Sequence, residues 1–240
     1  MPFPEEWRAI VLQHVPYTAK LPAVDLRLLE GHIQILLAEK NFEGCGGLEL
    51  TDEIRLTVAA NAALLVLHLD SDYYPTLDSI LVYPSSFVAK GIERVEGNLE
   101  MVEEEWRDGE AWMQGAVILA WDGVLQDAYR QYDGFNVALH EFAHQLDMED
   151  GAPNGVPYLP SRAMYARWGE ICTREYERLC NAADAGRPTV IDPYGAEDPA
   201  EFFAVVTEAF FEIPRRLSKH HPELYQLFKE YYRQDPLGVM

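Results

Sequence analysis

Read for the spacing of its apolar positions, the chain is mostly helical with a few short strands. Residues 5–15 and 23–40 carry apolar side chains at helical intervals, the second with Val24, Leu28, Leu29, Ile33, Leu36 and Leu37 on one stripe. Asn41-Phe-Glu-Gly-Cys-Gly-Gly47 reads as a glycine-rich turn, and Thr51 as the N-cap of a helix through about Ala63. Ala63 to Leu69 and Ser79 to Tyr83 read as strands broken by Asp70-Ser-Asp and Tyr74-Pro75. Gly115-Ala-Val-Ile-Leu-Ala-Trp121 is the clearest strand, closed by Asp122-Gly123. Glu93 to Asp108, with three consecutive glutamates, reads as solvated surface.

Further helices are predicted over 161–183, with Arg174, Glu175, Glu177 and Arg178 as the wet face, over Pro199 to Phe211, and over Pro222 to Tyr232. His220 and His221, just before Pro222, read as an exposed pair at a helix start. The expected fold class is α+β, mostly helical, with a small mixed sheet. There is no repeat or clear linker, so residues 1–240 are expected to form one domain, with the N-terminal helices, about 1–62, packed on the remainder.

The centre of this pattern is Val137-Ala-Leu-His-Glu-Phe-Ala-His-Gln-Leu-Asp147. His140 and His144 are four apart, which on a helix of 3.6 residues per turn stacks both imidazoles on one face. With Glu141 between them they form His-Glu-x-x-His, in which two histidines bind zinc and the glutamate serves as general base. The surrounding apolar residues bury that helix, and buried imidazoles need partners that a divalent metal supplies. The adjacent strand at 115–121 offers an edge for an extended peptide substrate unless it is an interior strand.

A third ligand is required if water is to keep a position on the ion. Asp150 lies six residues after His144, but the glycine that an extended zinc motif needs three after the second histidine is Asp147 here. Cys45 is a weaker soft-ligand candidate. Glu201 is the stronger one: Asp198 and Pro199 start a helix apolar nearly all round, on which Glu201 and Glu208 share a face. Asp198-x-x-Glu201 is equally a capping-box spacing, and spacing alone leaves ligand and cap open. Glu208 is the first candidate to orient a histidine and Asp147 the second.

Charge narrows the functions. Nineteen basic against 40 acidic residues give a net charge of −21, which disfavours nucleic acid and anionic membranes. The three cysteines form no paired framework, and neither a signal peptide nor a membrane-length apolar run is visible, so a cytoplasmic protein is expected.

His140-Glu-Phe-Ala-His-Gln-Leu-Asp-Met148, Phe42-Glu-Gly-Cys-Gly-Gly-Leu-Glu-Leu-Thr-Asp-Glu53 and Asp198-Pro-Ala-Glu-Phe-Phe-Ala204 together resemble the MtfA family, the Mlc titration factor A proteins, which are zinc peptidases of the bacterial cytosol. Tyr194, seven residues before Glu201, also looks like the catalytic domain of anthrax lethal factor, to which that family is similar. The resemblance implies a zincin-like fold, one zinc ion per chain on His140, His144 and Glu201, Glu141 as base and Tyr194 with its phenol toward the metal. It also implies aminopeptidase-type activity on peptides and a transcriptional repressor of the Mlc type as partner. Gln145 departs from the family, standing where a basic residue is often found. Two other readings stay open: a repressor-sequestering binding protein with weak or gated hydrolase activity, and a zinc hydrolase of non-peptide amides or esters.

Overall fold

The computed structural model describes residues 2–70, 72–85, 115–130 and 132–239. They fall into two compact units, Met1–Leu64 with Asp72–Arg130, and Leu65–Ser71 with Gln131–Met240. The predicted surface stretch Glu93 to Asp108 lies outside the described residues.

In the first unit, helices α1 (Glu5–His14) and α2 (Ala23–Glu39) follow the predicted boundaries, as does α3 (Asp52–Leu65), whose start is capped by Thr51 Oγ1 accepting from the Ile54 N–H at 3.3 Å. Three strands, β1 (Asn41–Gly44), β2 (Ser79–Tyr83) and β3 (Ala116–Ala120), form a sheet in the order β1-β2-β3. Both pairings are parallel, so the expected mixed sheet is corrected to a parallel one among the described residues. Parallel neighbours need crossover connections, and α3 lies within the one between β1 and β2.

Three further expectations change here. Asn41 to Gly44 is a strand, with the turn confined to the residues after it, because the backbone of Cys45 still donates to Val82 O. The apolar run from Ala63 is the end of α3 followed by turns, not a strand. Every residue from Leu56 to Leu67 is buried, and a helix buried all round has no periodicity to separate it from a buried strand. Asp122-Gly123 does not close β3; it lies in the first turn of α4 (Trp121–Tyr129), which follows the strand directly.

The second unit is helical: α5 (Val137–Asp147), α6 (Arg162–Asp184), α7 (Pro199–Glu212), α8 (Pro214–His220), α9 (Pro222–Tyr232) and the short α10 (Pro236–Val239). Helix α7 is its axis, with every residue from Phe202 to Phe211 buried. At about 1.5–3 kcal/mol for each large apolar side chain removed from water, this helix alone supplies a large part of the unit's burial energy. Aromatic rings hold it to its neighbours. Trp168 of α6 stacks on Phe228 of α9 with centroids 5.2 Å apart, and Phe203 of α7 lies 5.8 and 5.7 Å from the two. Phe210 stacks on Tyr232 at 5.7 Å, and the Tyr232 hydroxyl reaches Thr207 Oγ1 at 2.8 Å.

The loop after α5 is tied back onto this frame. Gly151 takes φ 95° and ends the short 3-10 turn Met148–Asp150 that follows α5; Asp147 accepts from the Gly155 and Val156 N–H groups at 2.8 and 2.7 Å; and Trp168 Nε1 donates to Gly155 O at 2.8 Å. At φ +74°, Gly155 sits so close to α7 that a Cβ there would lie 2.2 Å from Pro199 O. Only glycine combines that backbone angle with that approach.

Glu175 corrects the predicted wet face of α6. It is 7% exposed and accepts from His221 Nδ1 at 2.7 Å and Arg178 Nη1 at 3.2 Å. His221 is buried with it, so of the expected exposed pair only His220 faces solvent.

Candidate metal centre

Helix α5 begins at Asn136, whose Oδ1 accepts the Leu139 N–H at 3.0 Å and whose carbonyl accepts the His140 N–H at 2.9 Å. This cap fixes where the first turn starts, and the four-residue spacing then aims His140 and His144 the same way. Their Nε2 atoms lie 3.1 Å apart. Helix α7 begins at Asp198, whose Oδ1 accepts the Glu201 N–H at 2.9 Å. Asp198 therefore caps with its own side chain, while the Glu201 carboxylate turns away: its Oε2 lies 3.1 Å from His140 Nε2 and 3.5 Å from His144 Nε2. The capping-box alternative for the Glu201 side chain is not what the structure shows. Among the described residues no other three His, Cys, Asp or Glu gather in this way, so neither Asp150 nor Cys45 takes part. Asp150 instead caps the turn at Ala152 N.

The donor set fits a divalent ion. Zinc bonds of about 2.0–2.1 Å at the tetrahedral angle separate ligand atoms by about 3.3–3.4 Å, close to the triangle of 3.1, 3.1 and 3.5 Å found here. Protons alone satisfy it less well, because Glu201 Oε2 is buried without a well-aligned hydrogen bond, its nearest polar neighbours being the two imidazole nitrogens at 3.1 and 3.5 Å. A buried carboxylate oxygen without a donor costs several kcal/mol unless a cation meets it.

Behind the triangle stands Glu208, 5% exposed, with Oε1 2.8 Å from His140 Nδ1 and Oε2 accepting the Asn136 N–H at 2.5 Å. An Nδ1–H donated to this carboxylate leaves the lone pair of His140 on Nε2, where the other two ligand atoms converge. Glu208 thus bonds the nitrogen of His140 that faces away from the triangle. Asp147 does not: although buried rather than exposed, it holds the loop at Gly155 and Val156 and bonds neither histidine.

The electrostatics follow from crowding ionisable groups in a dry place. Burial opposes charge on His140, but the carboxylates of Glu201 and Glu208 on either side of its ring outweigh that and push it up to about 10. Burial likewise works against ionised Glu201, yet the two histidines draw it down to about 2. In Glu141 burial dominates over the neighbouring histidines and raises the carboxyl above its ordinary value. Tyr194 lies at the edge of this place, 48% exposed, with its ring 6.0 Å from that of His140; its partial burial followed by the Glu201 charge pushes its phenol up to about 12, so it stays a proton donor.

Asn136 is the residue of this site that the sequence reading passed over. An asparagine directly before the apolar run Val137-Ala-Leu is a helix-start signal that would have marked it.

Two histidines one turn apart with a glutamate beside the first, faced by a carboxylate from a second buried helix, make the constellation by which metallopeptidases are recognised. The model of the family described as "Glucose-regulated metallo-peptidase M90" matches residues 1–233, and the chain belongs to this family. Among its relatives, a protein of Synechocystis sp. described as uncharacterized is 48% identical, covering 98% of this chain and 86% of its own. Mlc titration factor A of Serratia proteamaculans is 35% identical over 85% of this chain and 78% of its own, and that of Pectobacterium atrosepticum 33% over 98% and 88%. Among the described residues no helix is long and apolar enough to cross a membrane.

Proposed function

We propose that this chain is a zinc-dependent peptidase of aminopeptidase type, in which His140, His144 and Glu201 hold one zinc ion and Glu141 is the general base. The observation that carries the reading is the triangle of His140 Nε2, His144 Nε2 and Glu201 Oε2, whose edges of 3.1–3.5 Å suit a single small cation. Zinc bound there supplies Lewis acidity toward a peptide carbonyl and acidifies a water molecule. Glu141 accepts the proton that water loses and passes it to the leaving amine, a task suited to a carboxyl whose affinity for protons is raised. Tyr194 offers a phenolic O–H to the oxygen on which charge develops. Glu208 keeps His140 in the tautomer that ligates. The family match runs through both units and supports a single metallopeptidase, which we infer to be zincin-like and to work in the cytoplasm.

The Serratia and Pectobacterium relatives carry the name Mlc titration factor A, which favours a transcriptional repressor of the Mlc type as a partner of this chain too. Peptidase and repressor binding are compatible, since a base such as Glu141 has no use in a site that only sequesters a partner.

The test is cleavage of a mixed peptide library read by mass spectrometry, with zinc-loaded wild type and zinc-loaded Glu141→Gln side by side. Wild type is expected to trim single residues from N-termini, and the variant to lose about 10²-fold or more in rate while retaining zinc. Equal cleavage by both would remove Glu141 from the mechanism. Internal cuts would remove the aminopeptidase assignment.

A further inference from the structure

Acidic residues outnumber basic ones two to one in this chain, 40 to 19, yet a cavity of about 230 Å³ at the C-terminal half of α6 has no acidic residue in its lining. It is walled by Arg178, Arg187, Thr189, His220 and His221, with short apolar side chains between them. None of these belongs to the metal centre.

The charges of the two arginines are spent differently. Arg178 donates from Nη1 to Glu175 Oε2 at 3.2 Å and to the His220 carbonyl at 3.2 Å, so the buried Glu175 offsets much of its charge. Glu175 is also bonded to His221, which holds its carboxyl below the ordinary carboxylate range. Arg187 has no such counterpart. Its Nη2 donates to Asn181 O at 2.9 Å, its backbone N–H to Ala182 O at 2.9 Å, and among the described residues it enters no ion pair. A guanidinium anchored through one nitrogen to a neutral carbonyl keeps its remaining donors for a ligand, in the planar fork that matches an oxyanion. Thr189 adds a hydroxyl that no side-chain hydrogen bond within the described residues engages. Arg187 and His220 are exposed at its rim, so the depression is open to solvent, and its volume, below the ~300 Å³ at which drug-sized pockets begin, suits a small charged group.

We propose that this cavity is a binding site for a small phosphorylated anion, gripped by Arg187 with Thr189 and the imidazole of His220. The shared chemistry is the phosphoryl group, and inorganic phosphate and a phosphate monoester are its two sources.

The experiment is isothermal titration calorimetry of the zinc-loaded full chain with inorganic phosphate and, separately, glycerol 3-phosphate, at constant ionic strength. Amide chemical-shift mapping of the same titrations locates the site. Saturable binding at one site is expected, with shifts at Arg187 to Ile191 and at His221. Tighter binding of glycerol 3-phosphate identifies the monoester as the preferred source, and equal binding identifies phosphate itself. Arg187→Gln removes the guanidinium from an exposed position while keeping a polar side chain there, and is expected to weaken binding about tenfold to a hundredfold with an unchanged melting temperature. Arg167→Gln, whose ion pair with Glu230 lies outside the cavity lining, is expected to bind as wild type does. Absence of saturable binding overturns the proposal. So does binding that survives Arg187→Gln, because an anion captured by the zinc ion would behave in that way.

Discussion

Replacing Glu208 with glutamine removes one charge and almost no volume from behind His140, and the geometry leaves the amide no good answer. The two carboxylate oxygens accept at once from His140 Nδ1 at 2.8 Å and from the Asn136 N–H at 2.5 Å. Glutamine has one acceptor and one donor in the same places. If its NH₂ faces His140, the imidazole must accept at Nδ1 and carry its proton on Nε2, which abolishes the lone pair offered to the metal. If its NH₂ faces Asn136, two donors oppose each other in a site 5% exposed, at a cost of about 1–3 kcal/mol, and the start of α5 loosens. The expected result is a zinc affinity about 10–100-fold lower than wild type, measured by competition with a chromophoric chelator, together with a depressed melting temperature if the second rotamer is the one adopted. Unchanged affinity and unchanged melting temperature would refute the orienting role of Glu208.

Three further outcomes are expected. Because His140 is held up to about 10, the zinc-free site carries a proton that the ion must displace; zinc affinity should rise about tenfold per pH unit between about pH 7 and 8, and a flat profile in the chelator titration would contradict this. Glu175 is held below its ordinary value, so its stabilising contribution is present above the unfolded pKa of ~4.3 and is lost as pH falls through the lower folded value. Glu175→Gln should therefore lower stability by about 1–2 kcal/mol at neutral pH, with the deficit shrinking in denaturant melts toward pH 3; a deficit independent of pH would show that packing, not charge, is involved. Gly155→Ala places a Cβ 2.2 Å from Pro199 O at φ +74° and should cost at least about 3 kcal/mol while weakening zinc binding through the turn that carries Glu201, which thermal melts and the chelator titration read together.

What could be read from the sequence was local in origin. The i, i+4 geometry of His140 and His144 is a property of any helix, and Asp198-Pro199 announces a helix start within two residues, so both halves of the metal centre were legible before their meeting was. The choice between cap and ligand for Glu201 was not, since the spacing serves both and only the packing of α5 on α7 separates them. The same limit explains the corrections. Parallel pairing of Asn41–Gly44 with Ser79–Tyr83 depends on a partner nearly forty residues away, and nothing in four residues reveals it. The run ending α3 is apolar on every side, which erases the period that distinguishes helix from strand. Glu175 looked like a solvated charge because its partner, His221, is supplied by a turn 46 residues on.

Glu201 and Glu208 stand two turns apart on α7, and between them they touch both nitrogens of one imidazole, Oε2 of the first at Nε2 and Oε1 of the second at Nδ1. The helix works as a calliper whose jaw opening is set by its own pitch. Point substitutions between the jaws, at Phe202 to Thr207, trade core volume and leave that opening alone. Deleting a single residue there would swing one jaw about 100° around the axis relative to the other. The stretch between these two glutamates is thus a length standard as well as a core segment, able to absorb changes of side chain far more readily than a change of one in its count.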